Sequence, residues 1–407
     1  MAADLTQAEL LFGAVGWKKP AGQEARIGFD VNRKPDGSTN LENFQITGKD
    51  LNISGKVALD TGNHLQSLYF SQFSVNPLTS LSIKGDLRSD GVLDVHAEGP
   101  SYDGRGFFHA LFSADQFAEG ASVQRDESFD IDLTAKVGRL VGYDDTTATD
   151  VDIALTKRDG RLVALHGNGR LNGNKPVSIE LQNRDGARIL LAHADDAGAA
   201  FRLIGFYRSI QGGKASLQVN LDAGGADQKS GTLRVRDFAV VGDSVVADVL
   251  TDPSSAAALG QNRQEVARKI VFRRLRAPFV VGRGKFQLND AYVNGPQLGA
   301  TLRGTVNFKS RTVDLGGTYV PLYGLNSALG AVPVLGRVFV GRQGEGVVGI
   351  TFAIKGKLDD PTVLVNPMSV MTPGIFRQIF DFNGGLPPVT APAKPRKQRI
   401  RPFENPG

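Results

Sequence analysis

The chain has 407 residues, of which 41% are hydrophobic and 22% charged, and this balance excludes a globally disordered protein. It contains no cysteine, which excludes disulfide bonds, thiolate metal sites and cysteine nucleophiles. The net charge is +5. Much of that excess is a basic cluster near the C-terminus, so the body of the chain lacks the charge pattern of a nucleic-acid-binding protein. The cluster consists of Lys394, Arg396, Lys397, Arg399 and Arg401.

Targeting segments are not evident in the sequence. No stretch reaches the roughly 18 consecutive apolar residues that predict a transmembrane helix. Residues 1–6 lack the basic start and apolar segment of a signal peptide. If the protein works outside the cytoplasm, we therefore expect this chain to be part of a longer protein.

Hairpin signals dominate the first half of the chain. The 49 glycines among 407 residues exceed the roughly 7% of an average protein, and many follow Asp or Asn. Such dipeptides favour type I′ turns, which need positive φ at both central residues. Those that we interpret as hairpin turns are Asp36-Gly37, Asp90-Gly91, Asp103-Gly104, Asp159-Gly160, Asn172-Gly173 and Asp185-Gly186.

Between these turns, apolar and polar residues alternate with period two. Residues 151–157 and 177–182 each place Val, Ile and Leu on one face and polar side chains on the other, which is typical of half-buried antiparallel strands. Further strands follow in the second half, with no helical crossovers between them. The sequence therefore predicts a mostly β fold, a long antiparallel meander that curls into an extended groove and carries a few short helices.

Four short segments interrupt the strands. Around residues 107–117 we expect a short helix or a loop. Residues 252–259 favour a capped helical turn, and residues 261–275 favour a short amphipathic helix that either packs on the sheet or touches a membrane surface. Residues 369–382 show helical spacing of apolar side chains. From residue 383 onward, Pro, Gly, Lys and Arg predict disorder.

Catalytic constellations are not apparent. The histidines lack metal-ligand spacing, so no metal or cofactor is expected. Asp195 and Asp196 are adjacent, and on a strand they would point to opposite faces and could not share a proton. Residues 282–285 lack the spacing of a phosphate loop, and no Gly-x-Ser-x-Gly elbow occurs. The sequence therefore predicts a protein that is not an enzyme.

An apolar sheet face of this extent must be covered. It can pack on a second sheet, or it can form a groove that is covered by acyl chains. On the order of twenty strands at ~4.8 Å spacing would give a groove of roughly 90–100 Å, enough for several lipids. Alternation does not tell which face is inward, but it selects the candidate lining residues. They are Val151, Ile153, Leu155, Val177, Ile179, Leu181, Leu233 and Val235.

Several motifs in the second half resemble the C-terminal region of the AsmA-like family. They are Ala194-Asp-Asp-Ala-Gly198, Phe201-Arg-Leu-Ile-Gly205-Phe-Tyr207 and Gln211-Gly-Gly213, followed by residues 231–238, 291–299 and 321–380. Residues 17–22 and 102–105 are similar to upstream elements of that family. The resemblance spans about residues 5–382, is most specific from residue 194, and is greatest to the large YhdP-type members of alphaproteobacteria.

The resemblance implies a function and a location. AsmA-like proteins are anchored in the inner membrane by an N-terminal helix and extend across the periplasm as a β-groove, similar to bridge-like lipid-transfer proteins. By resemblance, residues 1–193 are upstream groove strands, 194–382 the AsmA-like C-terminal region and 383–407 a disordered tail. The implied role is non-enzymatic transport of phospholipids between inner and outer membrane, with an envelope protein as a further partner. The anchor and the N-terminal groove would lie outside this chain.

Within this resemblance, the signature residues have structural roles. Asp195, Asp196, Gly198, Gly212 and Gly213 are expected in turns and bulges. Further on, Tyr323 and Asn326, together with Tyr319 and Pro321, are expected to end a strand and to begin a loop that caps the groove. Asn366-Pro367 indicates a turn or a helix start.

The last apolar segment has two readings. Ile375, Phe376, Ile379 and Phe380 either dock on the end of the sheet or face lipid at the outlet of the groove. Arg377 would meet a phosphate headgroup there, or it would remain solvated or cap a backbone carbonyl. The alternative to the whole hypothesis is a structural, protein-binding periplasmic β-scaffold without a lipid conduit.

Overall fold

The structure is a computed structural model, and it describes residues 1–12, 16–112, 130–224, 228–251, 268–282, 284–296, 298–321, 350–358 and 360–366. Strands dominate these residues. The strands of the first half are β1 (Ala2–Asp4), β2 (Leu10–Phe12), β3 (Trp17–Lys19), β4 (Ala25–Arg33), β5 (Thr39–Gly48), β6 (Leu51–Leu59), β7 (Leu65–Ser74), β8 (Ser80–Leu87), β9 (Val92–Asp103), β10 (Asp130–Val141) and β11 (Thr147–Arg158).

The second half continues in the same way. Its strands are β12 (Arg161–Leu171), β13 (Lys175–Arg184), β14 (Ala187–Ala194), β15 (Ile210–Asn220), β16 (Gln228–Val241), β17 (Lys269–Gly282), β18 (Lys285–Asn294), β19 (Leu298–Asn307), β20 (Thr312–Pro321), β21 (Ile350–Lys357) and β22 (Asp360–Asn366). Three short helices are described, namely α1 (Arg105–Phe112), α2 (Ala197–Leu203) and α3 (Ser244–Thr251).

Twenty of the strands form one open sheet. β1 pairs with β4, and from β4 to β22 each strand pairs with the next along the chain. The skipped strands, β2 and β3, form a hairpin of their own. The prediction of a mostly β chain with a long, mainly antiparallel meander is therefore confirmed.

One junction departs from the meander. β9 and β10 are parallel, and the connection between them contains α1, so the expectation of no helical crossover was wrong. Asp103-Gly104 is accordingly not a hairpin turn: Asp103 ends β9, and its carboxylate accepts a hydrogen bond of 3.2 Å from the Arg105 backbone N–H. Parallel neighbours need a long crossover, because the chain must return to the same end of the sheet.

The other five dipeptides connect neighbouring antiparallel strands, as predicted. Asp159 and Gly160 have φ of 50° and 73°, and Asp185 and Gly186 have φ of 52° and 77°. Positive φ at both positions is the type I′ geometry that matches the twist of the two strands.

The two long sides of the sheet differ. On one, which we call the turn side, strands are joined by short turns such as residues 34–38, 88–91, 159–160 and 185–186. On the other, the helix side, lie α1, α2, α3 and the β2–β3 hairpin. The core lies along the helix side in two clusters, one around Ile53, Phe73, Val137, Leu171 and Leu203 and one around Val235, Leu250, Ile270, Tyr319 and Ile350.

The helix predicted over residues 261–275 was wrong where the structure describes it. From Lys269 the chain is strand β17, in which Ile270 and Phe272 are buried and lie opposite Val240 and Phe238 of β16. The rings of Phe238 and Phe272 stack at 5.3 Å. Pairing with β16 therefore overrides the local helical spacing. The described helix, α3, lies earlier, and the turn predicted at 252–259 lies outside the described residues.

Helix α1 agrees with the prediction near residues 107–117 as far as the structure describes that segment. Helix α2 was not predicted, because residues 195 and 196 were interpreted as turn or strand residues. Asp196 is the N-cap of α2, and its Oδ1 accepts a hydrogen bond of 2.9 Å from the Ala199 N–H. The Asn172 side-chain amide donates to its Oδ2 at 2.8 Å. The predicted turn chemistry of Asp196 is therefore a helix cap.

A carboxylate braces the parallel junction. Asp132 of β10 accepts two hydrogen bonds from the Arg158 guanidinium, at 2.7 and 2.8 Å, and one from Arg88 at 3.0 Å. Arg88 lies in the turn before β9 and Arg158 at the end of β11, so the cluster ties three neighbouring segments together. The Arg158 hydrogen bonds hold the pKa of Asp132 below its ordinary value of 3.8.

This brace predicts an acid-sensitive stability. Because the folded-state pKa of Asp132 is lowered, its contribution is complete above the ordinary value and is lost as the pH falls through the lowered value. We expect the urea midpoint of Asp132→Asn to fall less between about pH 6 and about pH 3 than that of the wild type. Asp152 is an exposed carboxylate on β11, so Asp152→Asn is the control, and its urea midpoint should fall by as much as that of the wild type. An equal fall of the midpoint in Asp132→Asn and wild type would contradict the brace.

Candidate functional site

One face of the sheet carries an unbroken line of apolar residues and glycines. In antiparallel pairs, residues directly opposite each other point to the same face, so the pairing register traces the line from strand to strand. It crosses thirteen consecutive strands, from β5 to β17. Its members are Phe44, Gly55, Phe70, Ile83, Ala97, Ala135, Ile153, Gly167, Ile179, Ala192, Leu217, Leu233 and Ala277.

A second line on the same face continues to the end of the sheet. It crosses ten strands, from β13 to β22, through Leu181, Leu190, Val219, Gly231, Phe279, Leu288, Gly304, Leu315, Ile354 and Val363. The two lines overlap on β13 to β17, where their members lie two residues apart. At ~4.8 Å per strand, the continuous apolar face from β5 to β22 is about 80 Å long along the sheet.

All eight candidate lining residues lie on this face. Glycines between them show how closely they approach: a Cβ on Gly167 would lie 2.9 Å from the Ile179 side chain and 3.5 Å from that of Ile153. A Cβ on Gly169 would lie 3.3 Å from Val151 and 3.6 Å from Val177. Leu155 and Leu181 follow two residues on from Ile153 and Ile179, and Val235 follows two residues on from Leu233.

Exposure changes across the face. Val151 and Val235, near the helix side, are 7% and 0% exposed, whereas Leu155 and Leu181, near the turn side, are partly exposed. The helices and the β2–β3 hairpin therefore cover one half of the apolar face and leave the other half in contact with solvent. Such a partly open apolar surface indicates a binding surface more than a closed core.

Glycines beneath large side chains form depressions in this face. The Phe279 ring lies over Gly231, with its Cζ 2.5 Å from where a Cβ would be, and the Phe352 ring lies in the same way over Gly317, at 2.9 Å. Removing the side chain under a ring lets the ring lie flat on the sheet. The face is therefore a series of aromatic and aliphatic side chains resting on glycine backbone.

The titratable side chains of the described residues do not form a metal-binding cluster. His64 pairs with Asp60 at 3.3 Å, and the Thr134 hydroxyl lies 2.6 Å from His96 Nδ1. The described residues contain no group of three or more His, Asp or Glu side chains that could hold a metal ion. Tyr207 donates to Asp243 at 2.6 Å, and burial raises its pKa far above the usual range. Of residues 282–285, Gly282 ends β17 and Lys285 begins β18.

The signature residues fall into two groups. Asp195 pairs with Lys214 at 3.2 Å. The backbone of Gly198 packs on the Ile210 carbonyl, and Gly212 and Gly213 have φ of 64° and 81° within β15. Asn366 ends β22. The remaining residues lie outside the described part of the chain, namely Tyr323, Asn326, Pro367, Ile375, Phe376, Arg377, Ile379 and Phe380.

Several residues of the face were missed because bulges break the alternation. Leu41 and Phe44 both point to the apolar face, although they are three residues apart, because Asn43 adopts φ of 48° at a register shift. Asp290, with φ of 44°, does the same between Leu288 and Ala291. Asn and Asp tolerate this conformation, so an isolated Asn or Asp inside a strand was the signal that could have found them.

Comparison with protein-family models, with curated proteins and with solved structures gave no match for this chain. None of the helices in the described part has the length and apolar character needed to cross a bilayer. The fold and the apolar face therefore define a class of protein that is built on one long, open β-sheet with a continuous apolar surface.

The glycines of the face predict a specific sensitivity. We expect Gly317→Ala to lower the free energy of unfolding by about 1–3 kcal/mol through overpacking, because the new Cβ would lie 1.9 Å from the Thr301 carbonyl oxygen and 2.9 Å from the Phe352 ring. Thr318→Ala, the next residue and on the opposite face, is the control and should change stability by less than about 0.5 kcal/mol. Urea unfolding of both variants measures the difference, and a neutral Gly317→Ala would contradict the described packing.

Proposed function

We propose that this protein is a non-enzymatic lipid conduit, in which the apolar face is the inner surface of a groove that holds phospholipid acyl chains. The observation that carries the proposal is the continuity of the apolar lines from β5 to β22. A surface about 80 Å long exceeds the size of a site for one small ligand and suits several acyl chains in file.

Helix α3 supports a curved sheet. It begins three residues after the end of β16 and packs against β22. In a flat sheet, the six strand spacings would separate β16 from β22 by about 29 Å, whereas an eight-residue helix is only about 12 Å long. A sheet that bends around its apolar face shortens this distance.

The β2–β3 hairpin supports the same curvature in the first half. It leaves the sheet between β1 and β4, yet Gly16, the residue before β3, meets α1, which follows β9. A Cβ on Gly16 would lie 2.1 Å from the Gly106 carbonyl carbon. Five strand spacings, about 24 Å in a flat sheet, separate β4 from β9. The hairpin and α3 thus each link strands that lie far apart in the order of the sheet.

The conduit would work passively. Acyl chains would lie on the apolar lines, where each CH₂ removed from water contributes about 0.8 kcal/mol, and headgroups would stay in water along the open turn side. Because similar side chains repeat on every strand, a lipid would exchange one set of contacts for an equivalent set as it moves. No proton transfer or bond cleavage is required, so we do not assign catalytic residues.

The resemblance to AsmA-like proteins extends the proposal to location. We propose that the chain is the C-terminal, periplasmic part of a protein anchored in the inner membrane, and that it carries phospholipid between the inner and outer membranes. Residues 194–382 would form the family's C-terminal region, with an outlet near residues 375–380. An envelope protein at the outer membrane would complete the path.

A closed β-scaffold is the alternative. It requires a second large sheet, or an equivalent layer, on the apolar face. In the described part of the chain the only other sheet is the two-stranded β2–β3 hairpin, and Leu155 and Leu181 remain partly exposed. These observations favour the conduit.

The direct test is native mass spectrometry, combined with lipid extraction, on the chain purified from a bacterial host without detergent. The conduit predicts more than one phospholipid for each chain. A protein that carries no lipid, and that takes up no fluorescent phospholipid from vesicles, would instead support the closed scaffold.

A matched pair of variants tests the face. Ile179 lies on the apolar face and Ser178 on the opposite one, since neighbours on a strand point to opposite sides. We expect Ile179→Asp to reduce bound lipid and transfer between vesicles several-fold, because a carboxylate is costly to bury among acyl chains. Ser178→Asp adds the same charge and should leave both unchanged. Equal effects in variants with wild-type circular dichroism would refute the assignment of the face.

A further inference from the structure

The polar face of the sheet carries a concentrated group of arginines. Arg234 and Arg236 of β16 lie directly opposite Arg276 and Arg274 of β17, and all four are exposed. Their neighbours in sequence, Leu233, Val235 and Leu275, belong to the apolar face, so the four arginines point away from it. We call these four residues the arginine patch.

We expect the arginine patch to lower the stability of the sheet. Like charges directly opposite each other on neighbouring strands repel, and here two such pairs lie side by side. Among the described residues, none of the four guanidinium groups forms an ion pair or a hydrogen bond. The adjacent Lys214, opposite Arg236, is neutralised by Asp195 at 3.2 Å. Folding alone does not readily explain four arginines at this density without a compensating charge in the described part of the chain.

The residue type indicates the kind of partner. The patch itself contains only arginine, whose planar guanidinium binds carboxylates through two parallel hydrogen bonds. Next to Arg276 lies Tyr292 of β18, and Tyr and Arg are the residues enriched in the energetic centres of protein–protein interfaces. Binding to an anionic membrane surface depends on charge, for which lysine serves as well.

The spacing of the four arginines further restricts the kind of partner. Opposed arginines have Cβ atoms about 5 Å apart, and the two rows lie about 6.8 Å apart along the strands. An extended polypeptide with acidic residues at every second position repeats at the same 6.8 Å or so. Its carboxylates would fall on successive rows of the patch.

We propose that the arginine patch is a docking site for an acidic, extended segment of a partner protein. The site lies on the face opposite to the apolar lines, so it is independent of the proposed lipid function. Binding would also remove the repulsion between the opposed arginines, because each guanidinium would gain a carboxylate.

The experiment uses the whole chain and a fluorescent peptide of alternating glutamate and serine, with anisotropy as the readout at low ionic strength. We expect Arg274→Ala/Arg276→Ala to raise the dissociation constant by about tenfold and added salt to weaken wild-type binding. The control, Arg139→Ala/Arg184→Ala, removes the same charge from exposed arginines outside the patch and should bind as the wild type does. The patch variant should also melt at the same or a higher temperature than the wild type, since it relieves repulsion.

Three results would overturn the proposal. The first is equal peptide binding by the patch variant and the wild type. The second is an equal loss in both double variants, which would reduce the effect to net charge. The third is patch-dependent binding to phosphatidylcholine vesicles that contain phosphatidylglycerol, without binding of the peptide, which would assign the patch to a membrane surface.

Discussion

The cross-strand register is the constraint on which the rest of this structure depends. Side chains alternate with period two, so a slip of one residue at any junction would move the following strands' apolar side chains to the polar face. The type I′ turns at Asp159-Gly160 and Asp185-Gly186 fix the register locally. Where two apolar residues are three positions apart in sequence, bulges at Asn43 and Asp290 keep both on the same face of the sheet. Turn chemistry thus maintains one face over the length of the sheet.

The continuous apolar face explains why the buried core lies along the helix side of the sheet. An open sheet with one apolar face cannot bury that face on itself, so elements must come from its margins. The longer connections on the helix side supply these elements. One of them is α2, which begins at its N-cap Asp196. β22, the last strand of the described part, contains Pro361, whose nitrogen cannot donate to another strand, and α3 packs against β22. A proline and a packed helix both hinder pairing with another chain.

Alternation and turn residues were enough to predict the meander, five of the six hairpin turns and the eight residues that share one face. Each of these features is decided within a few residues. The parallel junction of β9 and β10, the strand at Lys269–Gly282 and the cap at Asp196 were not predictable in this way, because each depends on a partner distant in sequence. The local sequence around Ile270 and Phe272 is compatible with a helix or a strand. Only the pairing of these residues with Val240 and Phe238 determines that the segment is a strand. The arginine patch likewise exists only once β16 and β17 are in register.

The same alternation would let one sheet carry both proposed functions without conflict. Leu233 and Val235 contribute to the apolar face while Arg234 and Arg236, between and after them, contribute to the patch. Lipid on one face and an acidic segment on the other would never compete for a side chain, and a substitution on either face would leave the other's chemistry intact. A conduit must also be held in place, and an attachment that used the groove itself would block the path of the lipid. An attachment on the polar face would avoid this, because its binding energy would be gained on the side opposite to the proposed lipid path.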